Sequence, residues 1–129
     1  MRSSGDVCVR WLMLIAFGGL IFVLSSRPLP AEYVPPIPHF DKLAHCVAYG
    51  LLAMLCFRAF WLKTGRSAPI WVLLLGASVA TAYGALEEFH QIFVPTREFS
   101  WLDMIADGVG AALAAALWEP LTHKYAWLN

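Results

Sequence analysis

The chain has 129 residues, 60% of them hydrophobic and 14% charged, with a mean hydropathy of +0.63. A chain so short is a single domain, and one so apolar is neither disordered nor an ordinary water-soluble domain. Nine basic residues balance nine acidic ones, which excludes a strongly basic nucleic-acid binder and leaves no overall attraction to an anionic surface.

The first apolar run extends from Trp11 to Leu24. With Val7, Cys8 and Val9, and with Arg10 snorkelling, it reaches the roughly 20 residues that a spanning helix needs. This predicts a helix over 7–26. A cleaved signal peptide is the competing reading, but Leu24-Ser25-Ser26-Arg27 is a poor small-x-small cleavage site, so a retained helix is expected. Pro28, Pro30, Pro35, Pro36 and Pro38 then cluster in what reads as an extended surface loop. Further spans are expected over 41–62, 68–93 and 101–118, separated by the turns Thr64-Gly65-Arg66-Ser67 and Val94-Pro95-Thr96-Arg97. The chain thus reads as all-α, one integral membrane four-helix bundle over 1–129. Cys8, Cys46 and Cys56 form no CxxC pair and are expected as buried thiols.

Sorting basic residues by side orients the bundle. Arg2, Arg10, Arg58, Lys63, Arg66 and Lys124 fall on one side, and Arg27, Lys42 and Arg97 on the other. The richer side, with both termini, is expected in the cytoplasm. Trp11, Trp61, Trp71 and Trp118 would then form a belt at the inner interface. Gly76, Ala80 and Gly84 on the third span, and Gly108, Ala112 and Ala116 on the fourth, recur every four residues and predict close contact between those helices.

Ionisable groups within spans are expensive, so their placement is informative. Asp41, His45 and Tyr49 form one stripe on the second span. Tyr83, Glu87, His90 and Gln91 occupy an arc of the third, with Glu88 about 60° beyond it. Asp103 and Asp107 lie one turn apart on the fourth. All three sets fall in the outer half of the bilayer and can converge on a polar pocket. Asp41 can equally serve as a helix N-cap, and Ser100-Trp101-Leu102-Asp103 fits a capping box with Asp in place of Glu. His45 and Asp107, about one turn into their spans, require partners inside the bundle. The donor set admits a divalent metal, although neither HExxH nor CxxC spacing is present. It admits equally a pair of acid/base carboxylates. No nucleophile elbow and no phosphate-binding glycine loop is found.

Asp41-Lys42-x-x-His45-x-x-x-Tyr49, Glu87-Glu88-Phe89-His90-Gln91-x-Phe93-Val94-Pro95-x-Arg97 and Asp103-x-x-x-Asp107-x-x-Gly110, in this order on successive spans, resemble the VanZ-like family of small bacterial membrane proteins. Thr96 stands where that family usually has Gly, and Glu87 where Asp is common. The resemblance implies a multi-pass protein of the bacterial inner membrane, acting at the cell envelope, whose founding member is associated with teicoplanin resistance.

The expectation is therefore a lipid-embedded protein whose extracytoplasmic pocket binds, and acts on, an anionic lipid-linked or glycopeptide-like ligand. His45, Glu88, His90, Asp103 and Asp107 would be its acid/base or metal-binding residues. Lys42 and Arg97 would hold the anion, with Tyr49, Tyr83 and Gln91 as hydrogen-bonding support. Metal and cofactor stay unassigned, nucleic acid is not a partner, and self-association is left open. The alternative is a non-enzymatic scaffold in which the same residues form a structural network; transport is disfavoured because four short helices offer little room for alternating access.

Overall fold

The computed structural model describes residues 2–28, 35–63 and 67–125. Pro30 of the proline-rich loop, and Thr64, Gly65 and Arg66 of the second turn, lie outside the described residues.

Four α-helices and no strand are found among the described residues: α1 (Ser4–Ser25), α2 (Phe40–Phe60), α3 (Ile70–Gln91) and α4 (Trp101–Lys124). Each is long and apolar enough to cross a membrane. Leu43, Val47 and Leu51 on α2, and Ile105, Val109, Leu113 and Leu117 on α4, point away from the bundle, as lipid-facing residues do where the solvent is hydrocarbon.

Helices α2, α3 and α4 pack against one another, and α1 lies on α2 with a lighter contact to α3. The apolar core occupies one end of this three-helix unit, where Phe57, Leu73, Ala80, Ala114 and Trp118 meet. Trp118 is 1% exposed and sets its ring edge-on to Phe57 at 5.3 Å, so it belongs to the core and not to an interfacial belt. Trp11 and Trp71 remain exposed. Of the three cysteines only Cys56 is buried; Cys46 is half-buried and Cys8 exposed.

The α3 half of the expected small-residue seam holds, since Gly76, Ala80 and Gly84 are buried and a Cβ on Gly84 would overlap Asp107 of α4; the α4 half does not. Ala112 and Ala116 face outward, and a Cβ on Gly108 would meet only Thr81 Cγ2 at 3.7 Å. The tightest approach is between α2 and α4, where a Cβ on Gly110 would overlap the Cys46 carbonyl and one on Gly50 would lie 3.1 Å from the Gly110 carbonyl oxygen. The buried face of α4 is Asp103, Asp107, Gly110, Ala111, Ala114 and Trp118, a helical stripe that the alanine-rich spacing obscured.

Helix α1 buries only 6% of its apolar window, against 33–39% for the other three. Polar pegs on one face attach it. Arg10, 3% exposed, donates to the Arg58 carbonyl at 2.8 Å, at the C-terminal end of α2 where a cation is favoured; it is buried rather than snorkelling. The Tyr83 hydroxyl donates to the Gly18 carbonyl at 2.8 Å, and the Ser25 hydroxyl donates to Glu87.

The fourth helix runs beyond Trp118 through Pro120 to Lys124. Glu119-Pro120 reads locally as a stop signal, but Thr122 is buried and its hydroxyl donates to the Glu119 carbonyl at 3.1 Å.

Candidate functional site

The polar end of the bundle is built from the first half of α2, the last turns of α3 and the first turns of α4. At α4 the chain enters the helix from Ser100, whose hydroxyl accepts the Asp103 N–H at 3.2 Å. This is half of the expected capping box. The reciprocal half is made by Glu88 of α3, whose Oε2 accepts the Ser100 N–H at 2.8 Å. Asp103 is thereby free to turn inward, where its Oδ1 lies 2.5 Å from Lys42 Nζ. At α2 the N-cap position is His39, not Asp41. Asp41 is exposed and pairs with Lys42 at 2.5 Å.

His45 is the hub of the cluster. Its Nδ1 lies 2.9 Å from Asp107 Oδ1, and its Nε2 is 3.9 Å from Asp103 Oδ2. The ring is thereby set with Nδ1 toward Asp107 and Nε2 toward Asp103. Tyr49, 2% exposed, stacks on the imidazole at 5.9 Å with 11° between the planes. Asp107 is fully buried, and its Oδ2 has no hydrogen-bond partner among the described residues. That oxygen rests against α3 where Gly84 leaves room for it; a Cβ at position 84 would overlap it. Glu88, also fully buried, has one oxygen on the Ser100 N–H and no partner for Oε1. One donor atom each from His45, Glu88 and Asp103 lies within 4.8 Å of the others, the one such group among the described residues.

A cleft of about 270 Å³ opens beside this cluster between α1 and α2. Ile21, Leu24 and Ala48 supply apolar wall; His45, Gln91 and Arg97 line it with polar groups. Arg97 donates through Nε and Nη2 to the Arg27 carbonyl at 3.3 Å, and a guanidinium has donors beyond these.

Of the residues singled out in the sequence, Lys42, His45, Tyr49, Glu88, Asp103 and Asp107 come together, and Gln91 and Arg97 line the adjoining cleft. Lys42 is engaged by two carboxylates. Tyr83 and His90 turn toward α1: Tyr83 to Gly18, and the His90 ring to Phe22 at 5.0 Å. His90 has no contact with the His45 cluster among the described residues. Ser25 and Glu87, which pin α1 beside the cleft, carried no assigned role in the sequence reading. Their signals were a hydroxyl pair closing an apolar run, and a carboxylate on the α3 arc that also opens the second motif.

Thr96 adopts φ 69°. The left-handed region costs a β-branched residue about 1–2 kcal/mol, and glycine's greater freedom in the unfolded chain takes back part of that. Thr96→Gly is therefore expected to raise stability by about 0.5–1 kcal/mol, read as a higher unfolding midpoint in detergent.

Four membrane-spanning helices enclosing a buried ionisable cluster define a multi-pass integral membrane protein. More narrowly, the chain belongs to the VanZ/LLP1 family, whose model matches residues 7–122. An uncharacterised protein of Schizosaccharomyces pombe is 31% identical to it over 106 residues, covering 81% of this chain and 62% of the yeast protein. The chain thus spans less than two thirds of that relative's length, and the likeness widens the bacterial setting that the motifs imply. No solved structure matches it.

Proposed function

We propose that this VanZ-family protein binds an anionic amphiphile of the cell envelope in the cleft between α1 and α2, and that His45 and Asp107 move a proton at the bound headgroup. The observation that carries the reading is the placement of the 2.9 Å His45–Asp107 pair at the edge of a cleft with apolar walls and a guanidinium in its lining. Acyl chains fit the walls, the Arg97 guanidinium grips phosphate or carboxylate, and His45 Nε2 serves as general base or, once protonated, general acid. The excess of basic residues beside the termini supports a cytoplasmic location for both ends and an extracytoplasmic cleft. A bacterial inner membrane and altered glycopeptide susceptibility are the setting and phenotype that follow from the family's founding member.

The test is photolabelling of the protein in lipid nanodiscs with a diazirine-bearing phosphatidylglycerol or its phosphatidylcholine counterpart. The anionic probe is expected to label residues of α1 and α2, and Arg97→Ala to reduce that labelling several-fold. Equal labelling by both probes, or labelling unchanged in Arg97→Ala, overturns the proposal.

A scaffold reading has one observation in its favour: Glu88, Lys42 and His45 each bridge two helices. On that reading every substitution in the cluster lowers stability, whereas an active-site role yields folded variants that have lost function.

A further inference from the structure

The geometry points to a divalent-cation site formed by His45, Glu88 and Asp103, with Asp107 as the residue that orients the histidine. It shares His45 with the proposed function but does not depend on a lipid ligand: Nε2 handles the proton in the ion-free protein and is a ligand when the ion is bound.

The three donor atoms lie within 4.8 Å of one another, and His45 Nε2 faces Asp103 Oδ2 at 3.9 Å, too far for a hydrogen bond. Two donors about 2.0–2.2 Å from one tetrahedral ion lie about 3.4 Å apart, so closure by up to about 1.4 Å completes the site. Glu88 supplies the second, independent observation. It is fully buried, its Oε2 is fixed by the Ser100 N–H, and its Oε1 has no partner. A buried carboxylate oxygen without a donor is costly, and a cation satisfies it.

Asp103 divides its oxygens in the way that an ion requires: Oδ1 faces Lys42 at 2.5 Å, and Oδ2 turns to His45. The His45–Asp107 pair has the geometry of the carboxylate–histidine arrangement that orients a metal-binding imidazole, with Nδ1 on Asp107 at 2.9 Å and Nε2 toward Asp103. One imidazole with two carboxylates suits a borderline first-row ion of the Zn²⁺ or Mn²⁺ type. Three protein ligands leave a coordination position open, as in catalytic rather than structural sites.

The test is calorimetric titration of the purified, tag-free full chain in detergent, stripped with chelator, against Zn²⁺ and separately Mn²⁺. One equivalent of at least one ion is expected to bind per chain. Glu88→Gln, which keeps an acceptor for the Ser100 N–H, is expected to weaken that binding at least 10-fold, with Asp103→Asn as the second variant should Glu88→Gln fail to fold. The wild-type unfolding midpoint rises with the bound ion and the variant's does not. Absence of saturable binding by either ion, or affinity unchanged in the folded variant, overturns the site. No lipid probe enters this titration, so its failure is separable from failure of the photolabelling.

Discussion

Gly110→Ala is expected to destabilise the protein by about 3 kcal/mol, the upper end of the overpacking range. The added Cβ would coincide with the Cys46 carbonyl oxygen and approach that residue's carbonyl carbon to 2.8 Å and its Cα to 3.0 Å. All three atoms are backbone, so no rotamer change relieves the overlap. Helix α2 must move away from α4 along the seam that also carries the His45–Asp107 contact. Gly108→Ala is the matched control: its Cβ meets nothing nearer than 3.7 Å, and the gain in helix propensity makes it neutral or stabilising by up to about 1 kcal/mol. Unfolding midpoints of the two variants in detergent decide the matter, and equal midpoints would show that the α2–α4 seam is not where the bundle is tight.

The second large effect is expected at His45. His45→Ala removes the one partner of Asp107 Oδ1 and leaves a fully buried carboxylate whose Oδ2 already lacks a donor. Breaking a buried pair from one side costs about 3–5 kcal/mol. Removing both members, as in His45→Leu with Asp107→Leu, takes away the polar groups with their desolvation cost and is expected to recover most of that loss. The cycle is read as coupling energy from His45→Leu, Asp107→Leu and the double variant that combines them. Additive effects would mean that the 2.9 Å contact contributes nothing to the fold. A stable double variant that no longer responds to bound ligand or metal would separate the site's role in the fold from its chemistry.

Much of this arrangement was legible in the sequence because the cost of a polar group in hydrocarbon is so large that position alone is informative. His45 and Asp107 each lie about one turn into an apolar span, and each needs a partner; they are partners of one another. The α3 residues were harder to place. Tyr83, Glu87, His90 and Gln91 share an arc, but that arc faces α1 and the cleft. Glu88, outside the arc, is the residue that reaches α4. Helical periodicity groups residues on a face without stating which neighbour the face meets. Lys42 was legible only in part for a related reason: of its two acidic partners Asp41 is adjacent on the same helix, whereas Asp103 comes from another and needs the fold. The stripe of Gly108, Ala112 and Ala116 has the spacing of a packing face, yet it yields to the neighbouring stripe of Asp107, Gly110, Ala111 and Ala114, which buries the costly charge and the glycine together.

The bond from Glu88 to the Ser100 N–H, twelve positions further on, closes a ring of chain around the α3–α4 turn. A ring that short works as a spacer of fixed length. The carboxylate measures where α4 begins and lies beside His45 and Asp103. An insertion in the Phe93–Phe99 stretch, although it lies in a surface turn, would shift both relations at once and move Asp103 and Asp107 out of phase with α2. Tolerance to changes of length, ordinarily the property of such turns, is surrendered here, and the span between the two helices is as constrained as the helices themselves.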